Sequence, residues 1–367
     1  LRGITATVPN LYGKTESVAL DLIRNSYMTP GLKGYRYSSV YSQNTIAYQR
    51  PEPDTEVPIL TPINYLISKG EYVSGAIGIG TVEELQLIGR DSENVYTLDK
   101  DYILENDIDA SDTSRWFDAA TNITGFIPIG YSSEDNISSY TGIFDGDYHI
   151  IKDLYIHAPD SHFVALFSKI GSDSTVKNLG LINTQVYANG MVAPLAAINE
   201  GSISECFAYS ITFFTNVYSS SGDNAGFVYT NSGSITNCYS ISYLNTTIGR
   251  RTAGFVCDIS SGSIITNCYT VPRFLGVLAS GFSKTTELDT TVINCYWDII
   301  VSGTTITSSG EGKTTNEMKS QNTYENWDFT NVWGIISTQD RRSYPYLLNF
   351  NLLVMPNVLD MDEDSGV

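Results

Sequence analysis

Four cysteines recur at near-regular intervals, each followed by an aromatic residue: Cys206-Phe207, Cys238-Tyr239, Cys268-Tyr269 and Cys295-Tyr296. Thiols spaced this way can cross-link, bind metal or simply fill a core. There is no C-x-x-C pair and the chain has only 3 His, which argues against a zinc site. A fifth thiol, Cys257, follows Val256 outside the pattern and is expected to face elsewhere. Carboxylates could do acid–base work. Asp145, Asp147 and Asp153 lie close in sequence, and an inverting glycosidase needs two carboxyls about 6.5–9.5 Å apart. Asp145-Gly146-Asp147 nevertheless reads as a tight turn at a repeat boundary. Asp107, Asp109 and Asp112 offer hard oxygen donors for calcium without a full loop signature, and no other cofactor is expected. Tyr209, Tyr218, Tyr229 and Tyr243 are read as exposed, able to stack on sugars or to pack across neighbouring strands. Arg50 and Lys69 are the obvious cationic handles in the later strands of the first seventy residues.

The elements that must position these groups repeat. Asp153-Leu154-Tyr155, Asn178-Leu179-Gly180, Glu205-Cys206-Phe207, Asn237-Cys238-Tyr239, Asn267-Cys268-Tyr269 and Asn294-Cys295-Tyr296 follow one another at intervals of 25, 27, 32, 30 and 27 residues. A second phrase runs in step through Leu166, Leu195, Phe227, Phe255 and Phe282. A period of this size specifies stacked, nearly identical units. Runs of β-branched and aromatic residues separated by Gly, Ser and Asn fit one turn of a parallel β-solenoid per ~27 residues. Six turns at about 4.8 Å each extend the stack by roughly 25–30 Å.

Stacking predicts an inward column of Leu154, Leu179, Cys206, Cys238, Cys268 and Cys295, and a second through the Phe phrase. The Gly before each Phe allows close backbone approach. Cα atoms one turn apart fall within disulfide range, with Cys238 and Cys268 the best-placed pair. Inward Cys also packs well as a small apolar group, so a reduced ladder is expected. Asn178, Asn237, Asn267 and Asn294 are expected to form an amide ladder at a turn. The irregular insertion at 212–223 is where binding specificity is expected.

Composition bounds the rest. Charged residues make up 17%, Tyr is abundant at 25, and the net charge is −19. A strongly acidic chain is a poor partner for nucleic acid or an anionic membrane surface. No stretch is long and apolar enough to span a bilayer. The chain begins at Leu1 rather than Met, which reads as a trimmed product or a piece of something longer.

In the first seventy residues Thr15 can cap a helix over 16–26 whose apolar face is Val18, Ala19, Leu22 and Ile23, with Pro30 and Gly31 as its stop. Strand-like runs follow at 34–41, 45–49 and 63–68, giving a helix and a small antiparallel sheet. The run Val8-Pro9-Asn10-Leu11-Tyr12-Gly13-Lys14-Thr15, with Asn44-Thr45-Ile46, Gln49-Arg50-Pro51 and Ser68-Lys69-Gly70, resembles a PASTA domain. That resemblance implies an α+β module outside a bacterial cell, acting as a spacer or binding wall fragments. Asp54 stands where the family usually has Gly, and Asp tolerates the left-handed turn required.

Beyond it, Thr81 is expected to cap a helix over 82–88 that ends at Gly89, and 96–98 and 102–104 read as strands. Gly142-Ile143-Phe144-Asp145-Gly146, the Gly226-Phe227-Val228 phrase, Asn294-Cys295-Tyr296-Trp297-Asp298 and Tyr344-Pro345-Tyr346-Leu347 resemble the GLUG repeats of bacterial surface proteins. The resemblance carries no catalytic motif.

The chain is therefore read as mainly β. A leader or linker occupies 1–6 and the PASTA-like module 7–72. The cap and first solenoid turns occupy 73–148, the repeats 149–300, a C-terminal cap 301–347 and a tail 348–367. The tail turns apolar at 352–355 and then acidic; the apolar run is read as capping the last turn or pairing with a partner. The function expected is non-enzymatic: an extracellular protein of the bacterial surface, adhesive or structural, meeting cell-wall or surface glycans or copies of itself. The alternatives are a receptor-binding tail protein of a bacterial virus and a polysaccharide-active β-helix enzyme.

Overall fold

A computed structural model of the chain describes residues 4–36, 38, 40–70, 75–131, 137–212, 223–246, 251–276, 279–336 and 342–350. The chain divides into two compact units whose main bodies are Leu1–Ala76 and Ile77–Leu347.

In the first unit the helix Glu16–Asn25 buries Ala19 and Ile23 in a core with Val8, Leu11, Ile46, Ile63 and Ile67. Thr15 occupies the cap position, but its side chain makes no capping bond to the helix. The helix ends earlier than expected, where Tyr27 turns left-handed (φ 58°) and Met28 N–H returns to the Ile23 carbonyl at 3.1 Å. Pro30 and Gly31 instead open the strand Thr29–Arg36. That strand pairs in parallel with Pro62–Ser68, while Ile46–Arg50 pairs with Pro62–Ser68 antiparallel. The sheet is mixed rather than antiparallel, because alternation reveals which side chains are buried and not the direction a strand runs. Asp54 has φ 63°, the left-handed turn expected of it. Buried Gln49 ties two loops together, accepting from Leu11 N–H at 2.7 Å and donating to the carbonyls of Pro9 and Pro51.

The second unit is a parallel β-solenoid of about 8 turns. Its first face stacks Ile77–Ile79, Tyr102–Leu104, Ile143–Lys152, Thr175–Ile182, Ser202–Ser204, Ser234–Thr236, Ile264–Thr266 and Thr291–Ile293 in parallel. After a corner the second face stacks Phe207–Thr212, Tyr239–Thr246, Tyr269–Gly276 and Tyr296–Asp298. A third stacks Phe167–Ile170, Ala196–Asn199, Val228–Asn231, Val256–Ile259 and Ser283–Thr286. Apolar residues at every second position of the first face close the core: Val176, Ile203, Ile235 and Ile265 are all buried. The helix Val82–Leu87 covers the start of the stack with Val82 and Leu85, and Thr81 and Glu84 form a full capping box. Residues 96–98 are not a strand: the Asp91 carboxylate accepts from the Val95 and Tyr96 N–H groups and holds this stretch in a turn.

The corner after the first face explains the repeated Asn. Asn178, Glu205, Asn237, Asn267 and Asn294 all have φ between 49° and 56°, and Asn is the side-chain-bearing residue best suited to that conformation. The turn reverses the alternation, so the next residue also points inward.

One member of the expected inward column is misplaced. Leu154 is buried, but His149 is the residue in register with Leu179. A register shift after Asp145, with Asp147 and Tyr148 both left-handed, inserts residues that the phrase-matching could not see. Leu154 instead lies one position before Tyr155, which pairs with Gln185.

Candidate functional site

Cys206, Cys238, Cys268 and Cys295 stack in one buried column, all as free thiols. The Cys206 N–H points at the Cys238 sulfur at 3.4 Å, and the thiols donate to the carbonyls of Ser204, Thr236, Thr266 and Ile293. Burial pushes the thiols of Cys206, Cys238 and Cys268 well above the usual range, so the nucleophilic thiolate is suppressed. Cys257 packs in a separate cluster with Ala193, Ala225, Tyr229 and Ala253, and burial pushes its thiol up to about 12.

The carboxylates are held by scaffold bonds. Asp145 is 1% exposed. It accepts from the Asp147 N–H and the Asn178 amide, both at 2.9 Å, and pairs with Lys177 at 3.1 Å. Asp153 accepts from the Asn183 side chain. The three candidate calcium ligands turn to three different basic side chains: Asp107 to His149 (3.0 Å), Asp109 to Lys152 (2.9 Å) and Asp112 to Arg115 (3.1 Å). The Lys152 bond, aided by Ser111, holds the Asp109 carboxyl down at about 2. Among the described residues no cluster of three or more His, Cys, Asp or Glu could hold a metal.

Three of the four expected amides form a ladder. Asn294 donates to Asn267 at 3.2 Å and Asn267 to Asn237 at 3.3 Å. Glu205 interrupts the ladder, and Asn178 bonds Asp145 instead.

The aromatic residues divide sharply. Inside, Phe227, Phe255 and Phe282 stack with centroids 4.9 Å apart. The Gly before each allows this: a Cβ on Gly226 would meet the Gly254 carbonyl oxygen at 1.9 Å. Outside the second face, Phe207, Tyr239 and Tyr269 stack at 5.1 Å, yet all three are buried. The C-terminal segment covers the two tyrosines. Trp333 lies 6.1 Å from Tyr239 and 6.2 Å from Tyr269, Tyr344 stacks on Tyr269 at 6.3 Å, and the Tyr269 hydroxyl donates to the Pro345 carbonyl at 2.5 Å. The segment expected to cap the end thus also lies along the side, over the column that the repeat presents.

Of the four tyrosines read as exposed, Tyr229 is a correction. It is fully buried, and its hydroxyl donates to Asp223 at 3.0 Å. Arg251 joins that cluster with a two-pronged pair to Asp258 and a bond to Thr285 at 2.7 Å. Tyr229 was misread because the strand alternation that marks it as outward does not show what packs on it. Tyr209 and Tyr243 are half-buried, and the Arg273 guanidinium sits 5.5 Å over the Tyr243 ring. Tyr218, most of the insertion at 212–223 and the tail beyond 350 lie outside the described residues.

On the first unit Arg50 is already paired, with Glu52 at 3.0 Å and the Tyr48 hydroxyl at 2.9 Å, and Lys69 is half-buried. The sequence reading missed an aromatic platform beside it. Tyr12 stacks on Tyr41 at 5.5 Å, and its hydroxyl donates to Glu52 at 3.3 Å. Burial, with Glu52 adding, pushes the Tyr12 hydroxyl up to about 12. Three partly exposed tyrosines around one arginine form a surface suited to stacking on sugar rings. The signal was present in the Tyr spacing, but only the fold brings 12, 41 and 48 together.

Comparison with known proteins agrees with this division. Residues 6–69 match the PASTA domain family, so the first unit is an N-terminal PASTA domain. Halomucin from Haloquadratum walsbyi is 30% identical over 165 residues, which is 44% of this chain and 2% of halomucin. A crystal structure from Bacteroides ovatus, described as a "putative immunoglobulin A1 protease", aligns with a TM-score of 0.49 at 18% identity, over 75% of this chain and 93% of that one. Among the described residues no helix is long and apolar enough to cross a membrane.

Proposed function

We propose that this chain is a non-enzymatic extracellular surface protein in which a GLUG-type solenoid serves as a rigid scaffold for adhesion or for building a surface layer. The PASTA domain and the half-buried Tyr209 and Tyr243 would meet cell-wall or surface glycans. The observation that carries this reading is the fate of the reactive groups: Asp145 is locked by Lys177, Asn178 and the backbone, and the thiol column is sealed in the core. The PASTA match over residues 6–69 supports an extracellular setting.

The test is co-sedimentation of the full chain with purified peptidoglycan sacculi and with surface polysaccharide, alongside a reducing-end assay. Pelleting with one of them, weakened by Tyr12→Ala or Tyr243→Ala and without release of reducing ends, is the expected result. Release of reducing ends that is lost in Asp145→Asn would overturn it in favour of an enzyme. A stable trimer that pellets with none of these materials would favour the viral tail-protein reading instead.

A further inference from the structure

Each turn of the first face passes hydrogen bonds to the next. The N–H groups of Glu205, Asn237 and Asn267 donate to the carbonyls of Thr236, Thr266 and Ile293 one turn on, at 3.1, 3.1 and 3.2 Å. The side-chain amides run in step, ending at Asn294. At Thr291–Ile293 the series stops, since this strand has a strand neighbour, Ile264–Thr266, on one edge only among the described residues. The second face continues past this point. Glu311–Lys313 adds in parallel to Tyr296–Asp298, and Glu311 N–H donates to the Cys295 carbonyl at 2.9 Å. The last turn is therefore extended on one face and open on the other. The open position is a cleft of about 640 Å³ lined by Val292, Asn294, Cys295, Glu311, Lys313 and Glu325, among others. Its size falls within the ordinary range of binding sites, about 300–1,000 Å³.

We propose that this cleft takes an extended peptide segment of a partner protein as the next rung, parallel to Thr291–Ile293. Strand addition supplies affinity through the main chain, and alternate side-chain positions supply specificity. The stack below dictates the occupant. Val176, Ile203, Ile235, Ile265 and Val292 are in register on the first face, so a β-branched apolar residue belongs above Val292. Two residues on, an Asn would donate to Asn294 as Asn294 donates to Asn267, and the occupant turns out of the cleft there, because Gly310 and Glu311 already take the rung above Cys295 and Tyr296. The cleft rim carries Glu311, Glu317 and Glu325 against Lys313, which favours Lys or Arg flanking the peptide. A second copy stacked end to end is a poorer fit, because the other end of the solenoid is covered by the helix Val82–Leu87.

The experiment is fluorescence anisotropy of the full chain with a labelled Lys-Ser-Ile-Ile-Thr-Asn-Ala-Lys peptide. Saturable binding is expected. Replacing the first Ile, which aligns with Thr291, by Pro removes the N–H equivalent to the one Thr291 donates back to the Ser263 carbonyl at 2.8 Å, and is expected to weaken binding at least about tenfold. Glu325→Lys should weaken binding severalfold, and a Glu-flanked peptide should recover it on that variant. Equal binding of the peptide and its Pro form, or no binding at millimolar concentration, overturns the proposal. So does concentration-dependent self-association that the peptide competes away, which assigns the cleft to a second copy.

Discussion

Two aromatic columns run through the solenoid with the same period and nearly the same spacing. Phe227–Phe255–Phe282 stacks at 4.9 Å inside the barrel, and Phe207–Tyr239–Tyr269 stacks at 5.1 Å outside it. Both are buried, but by different means. The inner column is enclosed by the repeat itself, so the turns that create it also seal it. The outer column is enclosed by a segment that does not repeat, through Trp327, Trp333, Tyr324 and Tyr344. A repeated outward aromatic is thus not by itself a ligand strip; what lies across it decides.

Truncating the inner column should cost most. Phe255→Ala leaves a cavity with aromatic neighbours on both sides, and urea unfolding is expected to show a loss in the upper part of about 3–5 kcal/mol. Trp333→Ala should fall in the lower part of that range. The buried Trp333 Nε1 has no hydrogen-bond partner among the described residues, so removing it relieves an unmet donor. A larger loss for Trp333→Ala than for Phe255→Ala would reverse the ranking of the two columns. Gly254→Ala tests the close approach that lets the Phe rings stack. Its Cβ would meet the Gly281 carbonyl oxygen at 2.1 Å, and about 1–3 kcal/mol of destabilisation is expected in the same assay.

The thiols offer a chemical contrast within the inner face. Because burial raises Cys206, Cys238 and Cys268, their neutral forms contribute stability that is complete below the unfolded thiol value of about 8.5 and declines as pH rises above it. A thiol-reagent assay at pH 8 should report reaction only as fast as the chain unfolds. Immediate labelling of these thiols in the native protein would place the column outside the sealed core. The smallest effect is expected at the exposed edge. Asp109, held at about 2 by Lys152, contributes stability above its unfolded value of about 3.9 and loses it as pH falls through about 2. Solvent screening keeps Asp109→Asn within about 1 kcal/mol at neutral pH.

The repeat was legible because stacking makes the same demand on the same position in every turn. Asn at the corner, Cys behind it and Gly before Phe each answer one local steric requirement, and each lies where spacing predicts. What failed was non-local or non-periodic. The bulge after Asp145 put His149 rather than Leu154 in register with Leu179, because an irregular turn breaks the count of residues within that turn alone. Tyr229 looked exposed because alternation gives the direction of a side chain and not its cover. In the PASTA domain the parallel pairing of Thr29–Arg36 was hidden for the same reason, and the Tyr12, Tyr41 and Tyr48 platform exists only once distant loops meet.

The claim that the Asn-Cys-Tyr repeat builds a covered scaffold rather than a binding strip is most directly tested by nitrating the native chain and mapping modified tyrosines by mass spectrometry. Tyr27, 72% exposed, provides the internal reference. The expected result is that Tyr239, Tyr269 and Tyr344 stay unmodified while Tyr27 reacts fully. Nitration of Tyr239 or Tyr269 at the rate of Tyr27 in the folded protein would contradict it.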